Sequence, residues 1–493
     1  MFILLGLAIV SSILILRYRF VKRKYQVPLG SWETGDIPDI PGFDTFVHRL
    51  GEMIRIPTIS WTDLSLRQDH EFSRFQDLLV ELYPRVHGAM SWERLGHLGL
   101  IYHWKGKHPH KKPVLFLAHY DVVPAQERGG EKWDEPPFEG CVKDGVLWGR
   151  GSLDIKTQIA FQLETAERLL EQGWAPDRDI YFAYGGDEEI AGREGAGKIA
   201  ALFKERGLEF EFVLDEGGVI AKDQLAFLKG RPAALVGLAE KGFVTYKITA
   251  RGESGHSSMP LNRGKTAMGD LARAIAKLEA RPFPSRMVPV LQNMLERFVP
   301  HVSLPLGIVF SNLWLFSPLI RWIFSKKRTT DSLIRTTQAV TVARCGDQEN
   351  ILPGEAFCLI NHRILPGDTR EKVASRHGRR LAKLNLSIED AGNWPSNDPI
   401  TEGSTHGSGF KLIQKVLGKT HPGVLTVPFL VTGATDSKYY GDLTKQILRF
   451  TPLETRPEDL ATIHGVNERV GLDNLKKGLA FYHELFLSLE EIP

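Results

Sequence analysis

Eight consecutive residues, PVLFLAHY at 113–120, run without polar and apolar alternation until they reach His119. A strand of that kind is buried on both faces, so its sheet needs a covering layer on each side. Helical periodicity supplies the layers. FDTFVHRLGEMIRI (43–56), EFSRFQDLLVELYPRV (71–86) and KTQIAFQLETAERLLEQG (156–173) repeat apolar residues at helical spacing, the last stopping at Gly173. DIYFAYGGDEE and FEFVLDEGG are further strand-like runs. Buried strands alternating with helices predict an α/β domain with a largely parallel central sheet and helices on both faces. In such sheets sites form at the carboxyl ends of strands, where His119, Glu188, Glu189 and Asp215 all fall.

At 493 residues the chain is too long for one small domain. Its texture changes near residue 238. EKGFVTYKITARG and EAFCLINHRILPGD alternate as half-exposed antiparallel strands do, and GKTAMGDLARAIAKLEA and TREKVASRHGRRLAKL are helical. This predicts a small α+β unit over 238–392, inserted between the two parts of the first domain at 43–237 and 393–493. Residues 25–42 form a Pro/Gly linker.

Ahead of the linker, residues 1–24 differ from the rest. FILLGLAIVSSILIL (2–16) carries no charge and RYRFVKRK follows with five basic residues. Counted through Val21, with Arg17 and Arg19 snorkelling, the segment is long enough to span a bilayer. A cleaved signal carries its charges first and a small-residue cleavage site afterwards; this segment does neither. It is read as an uncleaved, single-pass membrane anchor. The positive-inside rule puts the following chain on the cytoplasmic side, but the rule is weak for large domains and the side stays open.

The rest is balanced. Lys plus Arg number 62 and Asp plus Glu 59, giving a net charge of +3, so nothing argues for a nucleic-acid partner. The three cysteines, Cys141, Cys345 and Cys358, lie at no CxxC spacing, so neither a disulfide framework nor a thiolate zinc site is indicated. Any metal must be held by histidine and carboxylate. Asp121 lies two residues after His119 and can fix its ring through the second nitrogen. Asp154, after a glycine-rich turn, reads alone as a helix cap. Glu188 and Glu189 are adjacent acids, which repel when buried unless a cation lies between them or one is protonated. Asp215 and Glu216 carry the same ambiguity. His464 returns to the resumed sheet in ATIHGVNE.

AHYDVVPA, GRGSLDIK, GGDEEIAG, FVLDEGG, EKGFVTYKI, SGHSSMP, ENILPG, NHRILPGD, TDSKYY and IHGVNE occur in order over about residues 45–490. Together they resemble the dinuclear zinc metallopeptidases that include aminoacylase, acetylornithine deacetylase and carboxypeptidase S. The nearest branch is that of carboxypeptidase S and N-fatty-acyl-amino-acid synthase/hydrolase. The resemblance implies a zinc-peptidase catalytic domain with an inserted lid/dimerisation domain. It implies two zinc ions per chain, though ligand type alone admits cobalt or manganese. His119 binds one ion, Asp154 bridges, and Glu189 and His464 bind the other. The fifth ligand is Asp215 or Glu216, with strand phase slightly favouring Asp215. Asp121 orients His119 and Glu188 is the general base. His256 helps hold the oxyanion and in dimeric relatives reaches the partner's site, so a homodimer through the lid is implied. Asn350 and Arg363 hold the carboxylate of an N-acyl amino acid or peptide substrate. The bond after Asp154 is expected to be cis.

Two rival readings exist. GREGAGK (192–198) matches a phosphate loop, except that Ile199 stands where Ser or Thr is needed. A binding scaffold that had lost catalysis would show substituted ligand positions, and none is substituted. The stretch 304–324 is unusually apolar but interrupted by Pro305, Pro318 and Arg321. It is read either as lid packing or as a greasy surface facing the anchored membrane.

Overall fold

The computed structural model describes residues 2–26, 39–127, 130–260, 265–392, 394–401 and 403–492. Most of the expected linker at 25–42 lies outside the described residues.

The strand Val114–His119 is buried at every position and lies inside a ten-stranded sheet. It pairs in parallel with Ile180–Gly185 on one side and Val213–Asp215 on the other. Ile447–Arg449 pairs in parallel with the far side of Val213–Asp215. The register sets His119 beside Gly185 and Asp215 beside Arg449, so these carboxyl ends share one edge of the sheet. An antiparallel hairpin, Ser91–Leu95 with Gly99–Trp104, closes one margin. On the other side Ala233–Glu240 pairs in parallel with Leu425–Val431.

Alternate residues of the central strand serve the two covering layers. Phe116 and Ala118 join a core with the helices Phe43–Ile54, Lys156–Glu171 and Leu472–Leu487, whereas Leu115 and Leu117 meet the helix Ala196–Glu205. The helix Lys156–Glu171 is more buried than its amphipathic pattern predicts. Most of its buried polar groups find partners inside: Gln158 and Gln162 both donate to the carbonyl of Leu117, and Glu164 accepts from Arg49 and Arg168, while Gln162 Oε1 and Thr165 Oγ1 stay unpaired. Burial of polar side chains is tolerable on those terms.

A second, four-stranded antiparallel sheet orders Thr337–Cys345, Glu355–Ile364, Gly242–Arg251 and Leu386–Asp390. Glu355–Ile364 alternates between buried and more exposed positions along its length, as its sequence pattern predicts. The helices Ala267–Glu279 and Arg370–Leu381 pack on this sheet over a separate core. The chain leaves the large sheet at Lys241, and isolated bridges of Phe243 to Asn397 and Glu240 to Ile400 bring it back.

Three helices inside the inserted stretch, Pro289–Phe298, Leu304–Ser311 and Leu313–Phe324, do not share the small sheet's core. They pack with Ala233, Leu425 and Val427 of the large sheet, and with Val21 of the N-terminal helix Phe2–Tyr25. That helix is long and apolar enough to cross a membrane. Val21 is buried, and Asn312 donates to the carbonyl of Leu14 over 3.2 Å.

Candidate metal centre

His119 ends the central strand with its ring buried. Its Nδ1 lies 3.0 Å from the main-chain oxygen of Asp121 and 3.3 Å from that residue's Oδ1. Its Nε2 faces Asp154 Oδ1 at 3.2 Å and Glu216 Oε1 at 3.3 Å. Asp154 turns its other oxygen to His464, with Oδ2 3.0 Å from Nε2, and Glu189 Oε2 is 3.2 Å from the same nitrogen. Two nitrogen–oxygen triplets therefore share one carboxylate. The ligating atoms of His119, Glu188 and Glu189 also lie within 4.8 Å of one another.

One ring nitrogen can serve one good hydrogen bond, yet each Nε2 faces two carboxylate oxygens at once. A shared cation explains such a triangle. Ligands about 2.0–2.1 Å from a tetrahedral ion lie roughly 3.3 Å apart, close to the nitrogen–oxygen distances of 3.0–3.3 Å in the two triplets. The donor set contains only nitrogen and oxygen, which suits zinc and similar divalent ions.

The charges of the protein alone are unbalanced. Burial, then the neighbouring Asp154, pushes Glu189 and Glu216 up to about 7. Burial likewise pushes Glu188 well above the usual carboxylate range, with Glu189, Glu216 and Asp436 adding to it. Burial opposes a charged His119, but Glu216, Asp121 and Asp154 outweigh it and hold the ring well above its ordinary value. Hydrogen bonds to Asp154 and Glu189 raise His464 to about 10. One oxygen of Glu189 is buried without a partner. Bound divalent cations would supply the positive charge this cluster lacks.

Asp121 ties the cluster together. Its carboxylate accepts from the main-chain N–H of Glu188 and of Glu189, each at 3.1 Å, and from Ser60 Oγ at 2.7 Å. The turn carrying Asp154 is held by Glu468, which sequence reasoning missed. One Glu468 oxygen accepts from the N–H groups of Gly151, Leu153 and Asp154, and the other pairs with Arg150. Arg150 also donates to the carbonyl of Gly465, beside His464. The only hint in the sequence was the carboxylate four residues after His464. The Asp154–Ile155 peptide bond is cis, as expected.

The geometry sets Asp215 and Glu216 apart. Asp215 is the last residue of its strand, and main-chain N–H groups of Glu216 and Ser437 occupy its two oxygens at 2.9 and 2.8 Å. Glu216, one residue beyond the strand, is the acid that faces His119. Arg363 lies on the small sheet with its guanidinium 4.9 Å from the Phe243 ring centroid. Its Nη1 is buried without a partner, and the charges of Glu240 and Glu188 act on it. His256 and Asn350 are exposed and are not brought to the cluster. His256 sits on the two-stranded ribbon Gly255–His256 and Ile351–Leu352, and Asn350 immediately precedes its second strand, where Ser257 N donates to Asn350 O.

Asp154, Glu188, Glu189, Glu216 and His464 open into a cavity of about 360 Å³ whose other walls include Val219, Leu235, Phe429 and Val431. The rival phosphate loop is spoken for: the N–H groups of Glu194 and Gly195 both donate to Asp187 at 2.8 Å. A carboxylate occupies the place a phosphate would take.

A family model described as peptidase family M20/M25/M40 matches residues 115–488. A probable carboxypeptidase S-like protein of Dictyostelium discoideum is 36% identical over 446 residues, covering 90% of this chain and 85% of that protein. An N-fatty-acyl-amino acid synthase/hydrolase of Bos taurus is 34% identical over 440 residues, covering 87% and 85%. A solved M20 metallo-carboxypeptidase of Sulfolobus solfataricus superposes with a TM-score of 0.66 at 18% identity, covering 90% of this chain and 98% of that one. With most of its length matched in sequence and the same fold around its histidine–carboxylate cluster, this chain belongs to the M20/M25/M40 peptidase family of metal-dependent hydrolases.

Proposed function

We propose that the protein hydrolyses, and in reverse forms, the amide bond between an acyl or peptidyl group and an amino acid with a free carboxylate. The observation that carries this reading is the pair of triplets sharing Asp154, with Glu188 beside them. His119, Asp154 and Glu216 would hold one divalent ion, and Asp154, Glu189 and His464 the other. Zinc fits these donors, as do cobalt and manganese. When bound, the ions polarise the scissile carbonyl and acidify the attacking water.

The chain's own groups do the rest. Glu188, not needed in either triplet, takes a proton from the attacking water and passes it to the leaving nitrogen. Asp121 fixes the His119 ring and the backbone under Glu188. The unpartnered Arg363 meets the substrate carboxylate in a planar, two-point pairing. The apolar cavity wall takes the acyl or side-chain end. The exposed His256 and Asn350 serve the site of a second copy, in a homodimer formed through the small sheet's domain. That inserted domain spans 238–392. The N-terminal helix anchors the enzyme in a membrane.

The test is Glu188→Ala, assayed on a panel of N-acyl amino acids and dipeptides with added zinc. Turnover is expected to fall by at least about 100-fold, the lower range for a lost general base. Metal content should stay at about two per chain. Near-normal turnover would remove Glu188 as the base.

A further inference from the structure

The helix Leu313–Phe324 leaves an apolar face uncovered. Leu313 and Ile320 are buried beneath it. Trp314, Leu315, Leu319, Trp322 and Ile323 are 42–61% exposed. They fall, with Pro318, in two adjacent i, i+4 rows, 314–318–322 and 315–319–323, so they form one continuous stripe. We propose that this stripe lies in the headgroup plane of the bilayer that the N-terminal helix enters, as a second contact that fixes how the catalytic body is turned. The proposal rests on the anchor reading above.

Three observations select a bilayer as the occupant. The first is depth. Asn312 donates to the carbonyl of Leu14 and accepts from Trp314 Nε1 at 3.2 Å in each case. The start of the exposed helix is thereby level with residues 14–17 of the N-terminal helix. Its uncharged run ends there, at Leu16, and its basic residues begin with Arg17. Arg17 and Arg19 snorkel from this level, so it lies near the boundary where hydrocarbon gives way to headgroups, the depth tryptophan favours.

The second is length and direction. The helix turns 108° from its predecessor Leu304–Ser311. Its 12 residues reach roughly 18 Å, well short of the hydrocarbon core of about 30 Å. It can lie in a bilayer surface but cannot cross it.

The third is charge. Lys326, Lys327 and Arg328 follow the stripe directly and are exposed, and no carboxylate among the described residues pairs with them. Lys326 Nζ sits 4.9 Å from the Trp322 ring centroid. A basic cluster at the end of an aromatic stripe complements lipid phosphates.

The test reconstitutes the full chain in vesicles of phosphatidylcholine with a minority of phosphatidylserine. Lipids brominated near the headgroup then quench tryptophan fluorescence. The Trp314→Phe/Trp322→Phe variant is expected to lose most of the quenching that the unaltered chain shows, while still turning over a soluble substrate. Equal quenching in the two proteins overturns the proposal. So does a Leu319→Cys variant that crosslinks to a second copy in the vesicles, since the stripe would then be a protein interface. Retention after an alkaline wash reads the anchor separately: a retained chain without quenching fails this proposal alone, and a chain washed off fails both.

Discussion

At the scale of single residues, one carboxylate serves several partners of the proposed centre. Asp121 holds the His119 ring and also receives two main-chain N–H groups from the turn that carries Glu188 and Glu189. Asp121→Asn replaces one of these oxygens with a donor amide, which then meets the main-chain N–H of Glu188 or of Glu189. Metal affinity is expected to fall by about 10–100-fold, the usual cost of losing a carboxylate behind a ligand histidine, and chelator competition would measure it. Turnover at saturating zinc should remain below that of the unaltered enzyme, because Glu188, the proposed base, has lost backbone support; full recovery with zinc would confine Asp121 to the histidine. Much of this centre was legible in the sequence, since His119, Asp154, Glu188, Glu189 and His464 sit in strong motifs at strand and turn ends. Glu216 was not separable from Asp215. The deciding contact is the Ser437 N–H, which reaches Asp215 from 222 residues away. Glu468 was hidden for the same reason: its partners are backbone groups of a turn more than 300 residues earlier.

At the scale of elements, the small sheet and its covering helix meet through a pair of buried histidines. His362 on Glu355–Ile364 and His377 on Arg370–Leu381 face each other with their Nε2 atoms 2.8 Å apart, one donating to the other. Burial, and then the charge each ring would meet from its neighbours, lowers them to about 3 and about 4. An unfolded histidine titrates near 6.5, so between about pH 4 and 6.5 the unfolded chain binds more protons than the folded one. Stability therefore rises with pH through that window and is lost as pH falls. The loss amounts to about 1.4 kcal/mol per pH unit for each proton taken up. Amide protection factors in Glu355–Ile364, which divide out the base-catalysed intrinsic rate, should fall on acidification from pH 6.5, and a variant carrying Phe at both positions should show a flatter profile. Identical slopes would remove the pair from the acid response. The alternating strand was readable from its sequence. The burial of the helix Lys156–Glu171 was not, because its glutamines and glutamates look solvent-facing until Leu117, Arg49 and Arg168 are found beside them.

At the scale of the whole molecule, the placement of His256 on an exposed ribbon and Asn350 beside it, away from the metal cluster, predicts an active unit of two chains. His256→Ala and Glu188→Ala chains should each be inactive alone. Mixed and allowed to exchange subunits, they should regain activity, because one site in each mixed dimer then has both an intact Glu188 and an intact His256. Failure to regain activity in proven mixed dimers would place His256 in its own chain's site. The α/β architecture and the separate small sheet followed from periodicity. The seating of the N-terminal helix did not, since an apolar run at a terminus carries no sign of what it touches. Gly307 shows how close that seating is: a Cβ there would come within 2.7 Å of the Tyr18 ring. Val21 and Tyr18 belong to the same apolar cluster as Leu235 and Phe429, which line the cavity. A preparation made by trimming the first 25 residues would thus remove part of the protein's interior along with the apolar helix. Such a preparation should self-associate on a sizing column, and its selectivity among acyl chains should not be taken for that of the intact protein.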